Sequence, residues 1–338
     1  MMNELEQELF EHHRVVSDIG QEPLRVDKFL LNRLEGNSRN KIQQAATDGY
    51  IHVNGKAVKS NYKVKPHDVV TVMFKNPPVE IELIPQDIPL DIIYEDEDIV
   101  ILNKEAGMVV HPGYGNYSGT LVNALAYHFK DLPAKAGDIT RPGLVHRIDK
   151  NTTGLMVIAK NDIAMTSLSK QFFDRTIDRR YNALVWGELI ADEGSIEGHI
   201  GRSPKNRKVM TVFNEGDYGK HAKTHYRVLE RFRYISLVEC KLETGRTHQI
   251  RVHFQYIKHP LFNDFEYGGD KILKGTTFSK YKQFVENCFR MIPRQSLHAK
   301  SLSFFHPRTN EWLSFDSELP YDMKSVIEKW RNYTSHKI

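Results

Sequence analysis

The sequence predicts an α+β protein with two domains, and three observations support this. The chain has 338 residues, enough for two domains or for one large domain with an appendage. Strand-like and helix-like segments are mixed without the strict alternation that a doubly wound sheet requires. A segment with four prolines, residues 75–90, separates a short N-terminal part from a longer C-terminal part. We therefore expect a small domain, a stiff linker and a larger domain.

The small domain is predicted to contain two helices followed by a hairpin sheet. "VDKFLLNRLEG" has apolar residues at helical spacing, and "SRNKIQQAATDGY" begins a second helix with Ser38 as its N-cap. In "IHVNGKAVKS", the "NGK" at 54–56 indicates a tight hairpin between two short strands. "VKPHDVVTVMF" then predicts a turn and a last strand.

The larger domain is predicted to begin with a strand at 98–103, followed by the glycine-bearing loop "EAGMVVHPGYG". The segments "TLVNALAYHF" and "AMTSLSKQFFDRT" predict amphipathic helices. "YNALVWGEL" and "YISLVECKLETG" predict strands, and "RTHQIRVHFQYI" predicts the helix that follows the second of them.

Composition is typical of a globular protein in a reducing compartment. Hydrophobic residues make up 40% of the chain and charged residues 27%, which argues against disorder. Two cysteines cannot form a disulfide framework or a four-thiolate zinc site, so we expect a cytoplasmic protein. The first 13 residues look acidic and helix-like and lack the apolar core of a signal peptide. No apolar run approaches the roughly 18 residues that a membrane helix needs, so no membrane partner is expected.

Positive charge is concentrated in two segments although the net charge is only +4. Residues 21–75 hold ten Lys and Arg against five acids, and residues 199–233 hold nine against three. Residues 79–98, between them, hold eight acids and no Lys or Arg. This pattern fits a polyanionic partner such as nucleic acid, and it also fits ordinary solvated faces.

Known cofactor and metal motifs are missing from the sequence. It has no phosphate-binding P-loop, no dinucleotide glycine fingerprint after a strand, and no Cys/His pair at zinc-finger spacing. Sixteen histidines are mostly scattered singly, and His248 and His253 are five apart, which does not place them together on one helix face. We expect no metal and no cofactor.

The segment "RPGLVHRIDKNTTGLMVIAKN", residues 141–161, contains one acid, Asp149, between Arg147 and Lys150. Flanking cations favour the ionised carboxylate and are expected to lower its pKa, which suits a nucleophile or a base. A locally paired turn residue explains the same pattern, and the residues alone leave both interpretations open. In "TGRTHQIRVH", Arg246 and Arg251 are expected on one helix, from which an arginine can pair with Asp149.

The segment around Asp149 resembles the signature segment of the RluA-type pseudouridine synthases. Five further blocks resemble the same family in the same order, and residues 24–75 resemble the S4 RNA-binding module. The resemblance implies domains at 24–75 and 91–330, with an extension at 1–23 and a linker at 76–90. It also implies a catalytic domain with a mixed, largely antiparallel sheet. The blocks are "NKEAGMVVHPG" at 103–113, "RRYNALVWGEL" at 179–189, "LETGRTHQIRVH" at 242–253, "HPLFNDFEYGG" at 259–269 and "LHAKSLSFFHP" at 297–307.

The resemblance implies an isomerase that converts uridine to pseudouridine within RNA without metal or cofactor. Asp149 matches the essential aspartate and Arg147 the arginine that fills the space left by a flipped-out nucleotide. Tyr181 matches the tyrosine that stacks on the base and is proposed to take the C5 proton. Arg251 matches the arginine that pairs with the aspartate, and Ile250 the apolar residue beneath the site. Whether the aspartate adds to C1′ or abstracts a C2′ proton stays open.

Ribosomal RNA, especially of the large subunit, is the expected substrate, with tRNA as the alternative and ribosomal particles as further candidates. No obligate protein partner is evident. Two other functions compete, an RNA-binding assembly factor without catalysis and an N-glycosidase that releases uracil. The candidate RNA contacts are Arg25, Arg39, Lys41 and Lys56 in the small domain and Arg202 and Lys205 in the second basic segment.

Three segments depart from the family pattern. Glu105 stands where proline is usual, and Arg180 stands where lysine is commoner before the tyrosine. Phe262 and Asn263 replace a Leu/Val–Gly pair. The first and third departures are expected in loops, where they would alter the fit to RNA.

Overall fold

The computed structural model describes residues 9–34, 39–75, 83–113, 115–134, 140–206, 208–213 and 218–335. These residues form two compact units that divide between residues 82 and 83. The small unit contains the strands β1 (Phe10–Val16), β2 (Leu24–Arg25), β3 (Ile51–Val53), β4 (Lys56–Ala57), β5 (Lys63–Val64) and β6 (Val69–Phe74), and the helices α1 (Val26–Leu31) and α2 (Arg39–Thr47).

The strands of the small unit form a sheet in the order β1-β6-β3-β4 and a separate pair, β2-β5. The predicted hairpin is confirmed, since Asn54 and Gly55 both have positive φ, 51° and 79°, as a two-residue hairpin loop requires. Both predicted helices are confirmed, and Val26, Phe29 and Ile42 bury their apolar faces against the sheet. Ser38, the predicted N-cap, lies outside the described residues.

The helix-like interpretation of the N-terminus is wrong for residues 10–13, because they belong to β1. This strand pairs antiparallel with β6 along its whole length, from Phe10 opposite Phe74 to Val16 opposite Val69. Single-sequence helix propensity is a weak signal, and pairing with a preformed strand edge outweighs it here.

The larger unit holds the remaining elements. Its helices are α3 (Leu121–His128), α4 (Asp162–Asp174), α5 (Gln249–Tyr256), α6 (Ser279–Met291) and α7 (Tyr321–Ser335), with a short 3₁₀ helix at Phe265–Tyr267. Its strands are β7 (Ile92–Glu95), β8 (Ile99–Lys104), β9 (Thr153–Ala159), β10 (Asp178–Trp186), β11 (Glu193–Arg202), β12 (Met210–Phe213), β13 (Lys220–Arg231), β14 (Ile235–Leu242), β15 (Leu297–Phe305) and β16 (Trp312–Asp316).

The strands of the larger unit form one ten-stranded sheet in the order β12-β11-β13-β14-β10-β15-β9-β8-β7, with β16 also paired to β15. Among the described strands, β15 and β9 make the one parallel pairing, where His298 is opposite Thr153 and Ala299 is opposite Gly154. The prediction of an α+β fold with a mixed, largely antiparallel sheet is confirmed.

Both faces of this sheet are covered, as the alternation of side chains along its strands shows. On β10, Tyr181, Ala183 and Val185 pack into one core, whereas Leu184 and Trp186 pack into another on the opposite face. The core beneath Tyr181 also receives Ile250 and Phe254 of α5, so β10 and α5 are held together by apolar burial.

Residues 83–90, the described part of the proline-rich segment, lie against α3. Gln86 accepts a hydrogen bond from the backbone N–H of Gly119 at 2.6 Å, and Asn123 donates to the carbonyl of Ile84 at 2.8 Å. Leu83 and Leu90 pack against the same core as Tyr181. No helix in the described part of the chain has the length and apolar character needed to cross a membrane.

Candidate active site

Asp149 lies in the loop before β9, and the backbone of this loop is held from several sides. The carbonyl of Asp149 accepts from the N–H of Thr152 at 3.1 Å. The next carbonyl, of Lys150, accepts from the Lys104 ammonium and from the N–H of Gly107, both at 3.0 Å. The loop therefore presents the carboxylate of Asp149 in a defined position.

Arg294 holds the following carbonyl. This buried arginine donates to the carbonyl of Asn151 at 3.2 Å and pairs through two nitrogens with Asp322 of α7, at 2.8 and 2.9 Å. The contact connects the Asp149 loop to α7, a helix that the sequence interpretation did not include.

Lys104 is a functional candidate that the sequence interpretation missed. It is only 2% exposed, and its ammonium also donates to the carbonyls of Glu105 and Met108. Burial lowers the pKa of Lys104 to about 7, although the charge of Asp149 acts in the opposite direction. The sequence feature that indicates such a residue is a lysine at the end of an apolar strand, because a lysine is rarely buried without a specific partner.

Arg251 of α5 is the arginine that reaches Asp149. The distance from Nη1 of Arg251 to Oδ2 of Asp149 is 3.4 Å. Neither of the sequence neighbours, Arg147 and Lys150, is within ion-pair distance of Asp149 in the described structure. Arg147 contacts the ring of His111 at 3.3 Å instead. The expected pairing with an arginine of this helix is thus present, and the flanking cations are not the partners.

Two further acids surround Arg251. Its Nε and Nη2 bind both oxygens of Asp264 at 2.7 and 2.8 Å, and Nη2 also binds Glu266 at 2.5 Å. Burial opposes the charge of this arginine, but Asp264, Asp149 and Glu266 together raise the pKa of Arg251. Arg251 is therefore a permanent cation at the base of the site.

The start of α5 differs from the prediction. The helix begins at Gln249, so Arg246 lies before it and not on it. His248, at the N-cap, has a left-handed backbone with φ 55° and ψ 23°. Its ring contacts the hydroxyl of Tyr267 at 2.8 Å and lies 4.0 Å from Oδ2 of Asp149. A non-glycine residue in this conformation is strained, and such strain is often found at functional sites.

A cleft of about 340 Å³ joins these groups. Asp149, Arg147, Tyr181, Ile250 and Arg251, the five catalytic candidates, all line it. Tyr181 is 7% exposed, and burial raises the pKa of its phenol, so Tyr181 is protonated at neutral pH. Ile250 is buried beneath the cleft in the core shared with Tyr181.

The RNA-contact candidates of the small unit fall into two kinds. Arg25 and Arg39 each pair with the fully buried Asp27 at 3.0 Å. Their hydrogen bonds lower the pKa of Asp27, and the bond from Arg25 has the larger effect. Their guanidinium groups therefore stabilise the small unit itself. Lys41 and Lys56 lie on its exposed surface. In the larger unit, Arg202 and Lys205 are also exposed, at the end of β11 and in the turn after it.

Known proteins are similar to this chain in sequence and in fold. The profile of the RNA pseudouridylate synthase family matches residues 98–256, and that of the S4 domain matches residues 24–70. A Chlorobaculum parvum protein named "Uncharacterized RNA pseudouridine synthase" is 49% identical over 92% of this chain and 95% of its own length. The chain belongs to the RNA pseudouridine synthase family. The enzyme is thus an isomerase that acts on uridine in RNA.

Two further proteins extend the comparison. The enzyme is 42% identical to the Zymomonas mobilis "Ribosomal large subunit pseudouridine synthase D", over 90% of this chain and 93% of that protein. The solved structure "Human RNA Pseudouridylate Synthase Domain Containing 4" matches with a TM-score of 0.53 at 24% identity, over 71% of this chain and 92% of that one. The similarity to this solved structure confirms the fold.

The departures of the enzyme from the family pattern have structural explanations. Phe262 is fully buried against Trp186, and so lies in a core and not on an RNA-facing loop surface as expected. Asn263 has φ 58°, a conformation that suits glycine or asparagine, and its amide donates to the carbonyls of Phe289 and Ile292. Arg180 pairs with Asp178 and Glu239 and does not line the cleft. Glu105 is exposed, in the loop after β8.

Proposed function

We propose that this enzyme converts uridine to pseudouridine in large-subunit ribosomal RNA, with Asp149 as its essential carboxylate. The observation that carries the proposal is the cleft in which Asp149, held by Arg251, lies with Tyr181. The names of the Zymomonas mobilis and Vibrio parahaemolyticus relatives, 42% and 41% identical, support the choice of RNA. Exposed cations on the S4 unit supply contacts to phosphate, which position RNA without reading its sequence.

The reaction detaches uracil from C1′ of the ribose, rotates it and rejoins it through C5. A uridine within stacked RNA must first be extruded into the cleft, at a cost of about a few kcal/mol. Arg147, on the exposed side of the cleft, fills the gap left by the nucleotide. Asp149 reacts at the ribose as an ionised carboxylate, Arg251 holds it, and Tyr181 stacks on the base.

Tritium release from RNA labelled at uridine C5 tests this proposal, because C5 loses its hydrogen only when it becomes the glycosidic carbon. Wild type and Asp149→Asn would be compared on ribosomal RNA, on assembling large-subunit particles and on transfer RNA. We expect release by wild type alone, from large-subunit RNA, free or in particles. Release by Asp149→Asn would contradict the role of the aspartate, and equal release from transfer RNA would contradict the substrate.

Two alternative functions predict different outcomes, which product analysis and cell growth would reveal. Free uracil without new pseudouridine would indicate an N-glycosidase. An assembly factor without catalysis predicts no release from any RNA, together with a cellular growth defect on deletion that Asp149→Asn does not reproduce.

A further inference from the structure

Arg179 is a cation of the cleft, and the described residues include no counter-ion for it. It lies on β10 two residues before Tyr181, and both side chains line the cleft. Among the described residues, the guanidinium of Arg179 makes no hydrogen bond or ion pair. Within the part of the chain that the structure describes, its Nε is buried without a hydrogen-bond partner, and its Cζ lies 5.2 Å from the centre of the Phe172 ring.

Two other arginines near Tyr181 have acidic partners. Arg251 has three acids around it, and Arg180, adjacent to Arg179 but outside the cleft, pairs with Asp178 and Glu239 at 3.0 and 3.1 Å. Arg179 is partly buried, and a cation that lines a cleft without an acidic partner is a candidate for contact with a negatively charged ligand.

The neighbours of Arg179 do not supply the missing negative charge. His146 stacks on the same Phe172 ring at 4.7 Å, and burial, with the charge of Arg179, lowers the pKa of His146 to about 3. Arg246, which also lines the cleft, is another cation, and its Nε donates to the carbonyl of His221. This end of the cleft therefore favours a negatively charged group from outside the protein.

Gly245 leaves room for the guanidinium. A Cβ atom on this glycine would lie 3.0 Å from Nη1 of Arg179. The backbone of Gly245 does not have a positive φ, so its conformation does not require glycine. The close approach of the guanidinium to Gly245 places Arg179 against this part of the cleft wall, which is an observation independent of the missing counter-ion.

The reaction produces a negative charge that must be stabilised inside the cleft. When the bond between C1′ and N1 breaks, its electron pair leaves with the base, and the charge is delocalised over N1, O2 and O4 of uracil. The bond from C5 to C1′ then forms with an electron pair of the ring, and the proton at C5 leaves to a base. Preorganised donors aimed at such developing charge are usually a large contribution to catalysis.

We propose that Arg179 is a further catalytic residue, which donates to a carbonyl oxygen of the extruded uracil and stabilises the detached uracil anion. Arg179 and Tyr181 project from the same face of one strand, so a base stacked on the Tyr181 ring turns an oxygen-bearing edge towards Arg179. This inference rests on the proposed function, since it requires that the cleft around Asp149 holds the reacting nucleotide.

Single-turnover kinetics and RNA affinity, measured separately, test the proposal with Arg179→Met, Arg179→Lys and the matched control Arg180→Met. We expect Arg179→Met to lower the single-turnover rate about 10²-fold, with little change in Kd, and Arg179→Lys to recover part of the rate. Arg180→Met should keep the wild-type rate. A loss that appears only in Kd would overturn the proposal and indicate a contact to a backbone phosphate.

A substrate with 5-fluorouridine at the modified position separates catalysis from a structural role. Fluorine withdraws electrons and stabilises the detached base anion, so detachment should depend less on Arg179. We expect Arg179→Met to slow consumption of 5-fluorouridine less than it slows reaction of uridine. An equal loss on both substrates would overturn the proposal. The inference alone would be refuted if wild type is active, Asp149→Asn is inactive and Arg179→Met is fully active. The proposed function would be refuted if wild type is inactive.

Discussion

Arg251 binds Asp264 with two hydrogen bonds of 2.7 and 2.8 Å, whereas it reaches Asp149 at 3.4 Å. Asp264 is fully buried, so it fixes the plane of the guanidinium. Arg251 thus holds the carboxylate of Asp149 electrostatically while leaving its oxygens largely available to a substrate.

The two acids that flank Phe265 should differ in their contribution to stability. Asp264→Ala leaves the buried Arg251 without its main partner and should lower the free energy of unfolding by about 3 kcal/mol. Glu266→Gln is the matched control, because this partly exposed acid should contribute less than about 1 kcal/mol. Urea denaturation of both variants measures the difference. Equal losses would show that Asp264 is not the residue that fixes Arg251.

Lys104→Met should impair catalysis more than folding. The variant keeps the apolar stem in the core but removes the donor to three carbonyls, one of which follows Asp149. We expect a lower kcat, a nearly unchanged KM, and a stability loss of about 1 to 3 kcal/mol. Lys150→Met, which changes an exposed neighbour, is the control. An unchanged kcat for Lys104→Met would mean that the loop keeps its position without this anchor.

Gly154→Ala should destabilise the larger unit strongly. Gly154 has φ 114°, and a Cβ atom there would lie 2.3 Å from the carbonyl oxygen of Ala299 on β15. Strain and overpacking together should cost about 3 kcal/mol or more. Gly113→Ala, at a glycine with open space and no positive φ, should be close to neutral. Thermal unfolding of both variants checks the contrast, and a stable, active Gly154→Ala would contradict the close approach of β9 to β15.

Asp98 should contribute to stability only above acidic pH. Its hydrogen bonds with Arg308, and further contacts including Asn161, outweigh burial and lower the pKa of Asp98 from 3.8 to about 2. The stabilisation from the ionised Asp98 is therefore fully present above pH 3.8, the pKa of the unfolded chain. It is lost as the pH falls towards 2, the pKa in the folded protein. Because Arg308 is half exposed, we expect about 1 kcal/mol. Wild type should be more stable than Asp98→Asn at pH 6, and the difference should shrink at pH 3. A difference that does not depend on pH would contradict this.

Local pattern was enough to predict much of the fold. The α+β class, the hairpin at Asn54 and Gly55 and the strand that carries Tyr181 all follow from periodicity and turn chemistry. These signals depend on neighbours within a few residues. The helix-like pattern of residues 1–13 is misleading for residues 10–13, which begin β1, because their pairing partner β6 lies far along the chain. The sequence predicts too early a start for α5 because the strained His248 has no local sequence signature.

The family resemblance picked out five of the residues that line the cleft, and the residue type of Asp149 by itself indicates its chemistry. Only the tertiary structure decided which cation Asp149 meets. Arg251 is 102 positions away and reaches Asp149, whereas Arg147, two residues before it, and Lys150, the next residue, do not. Proximity in sequence does not give proximity of charges here, because the position of the loop around Asp149 is set by contacts with distant residues such as Lys104 and Arg294. For the same reason the sequence could not show that Lys104 is buried under the loop, or that Arg179 enters the cleft unpaired while Arg180 is neutralised outside it.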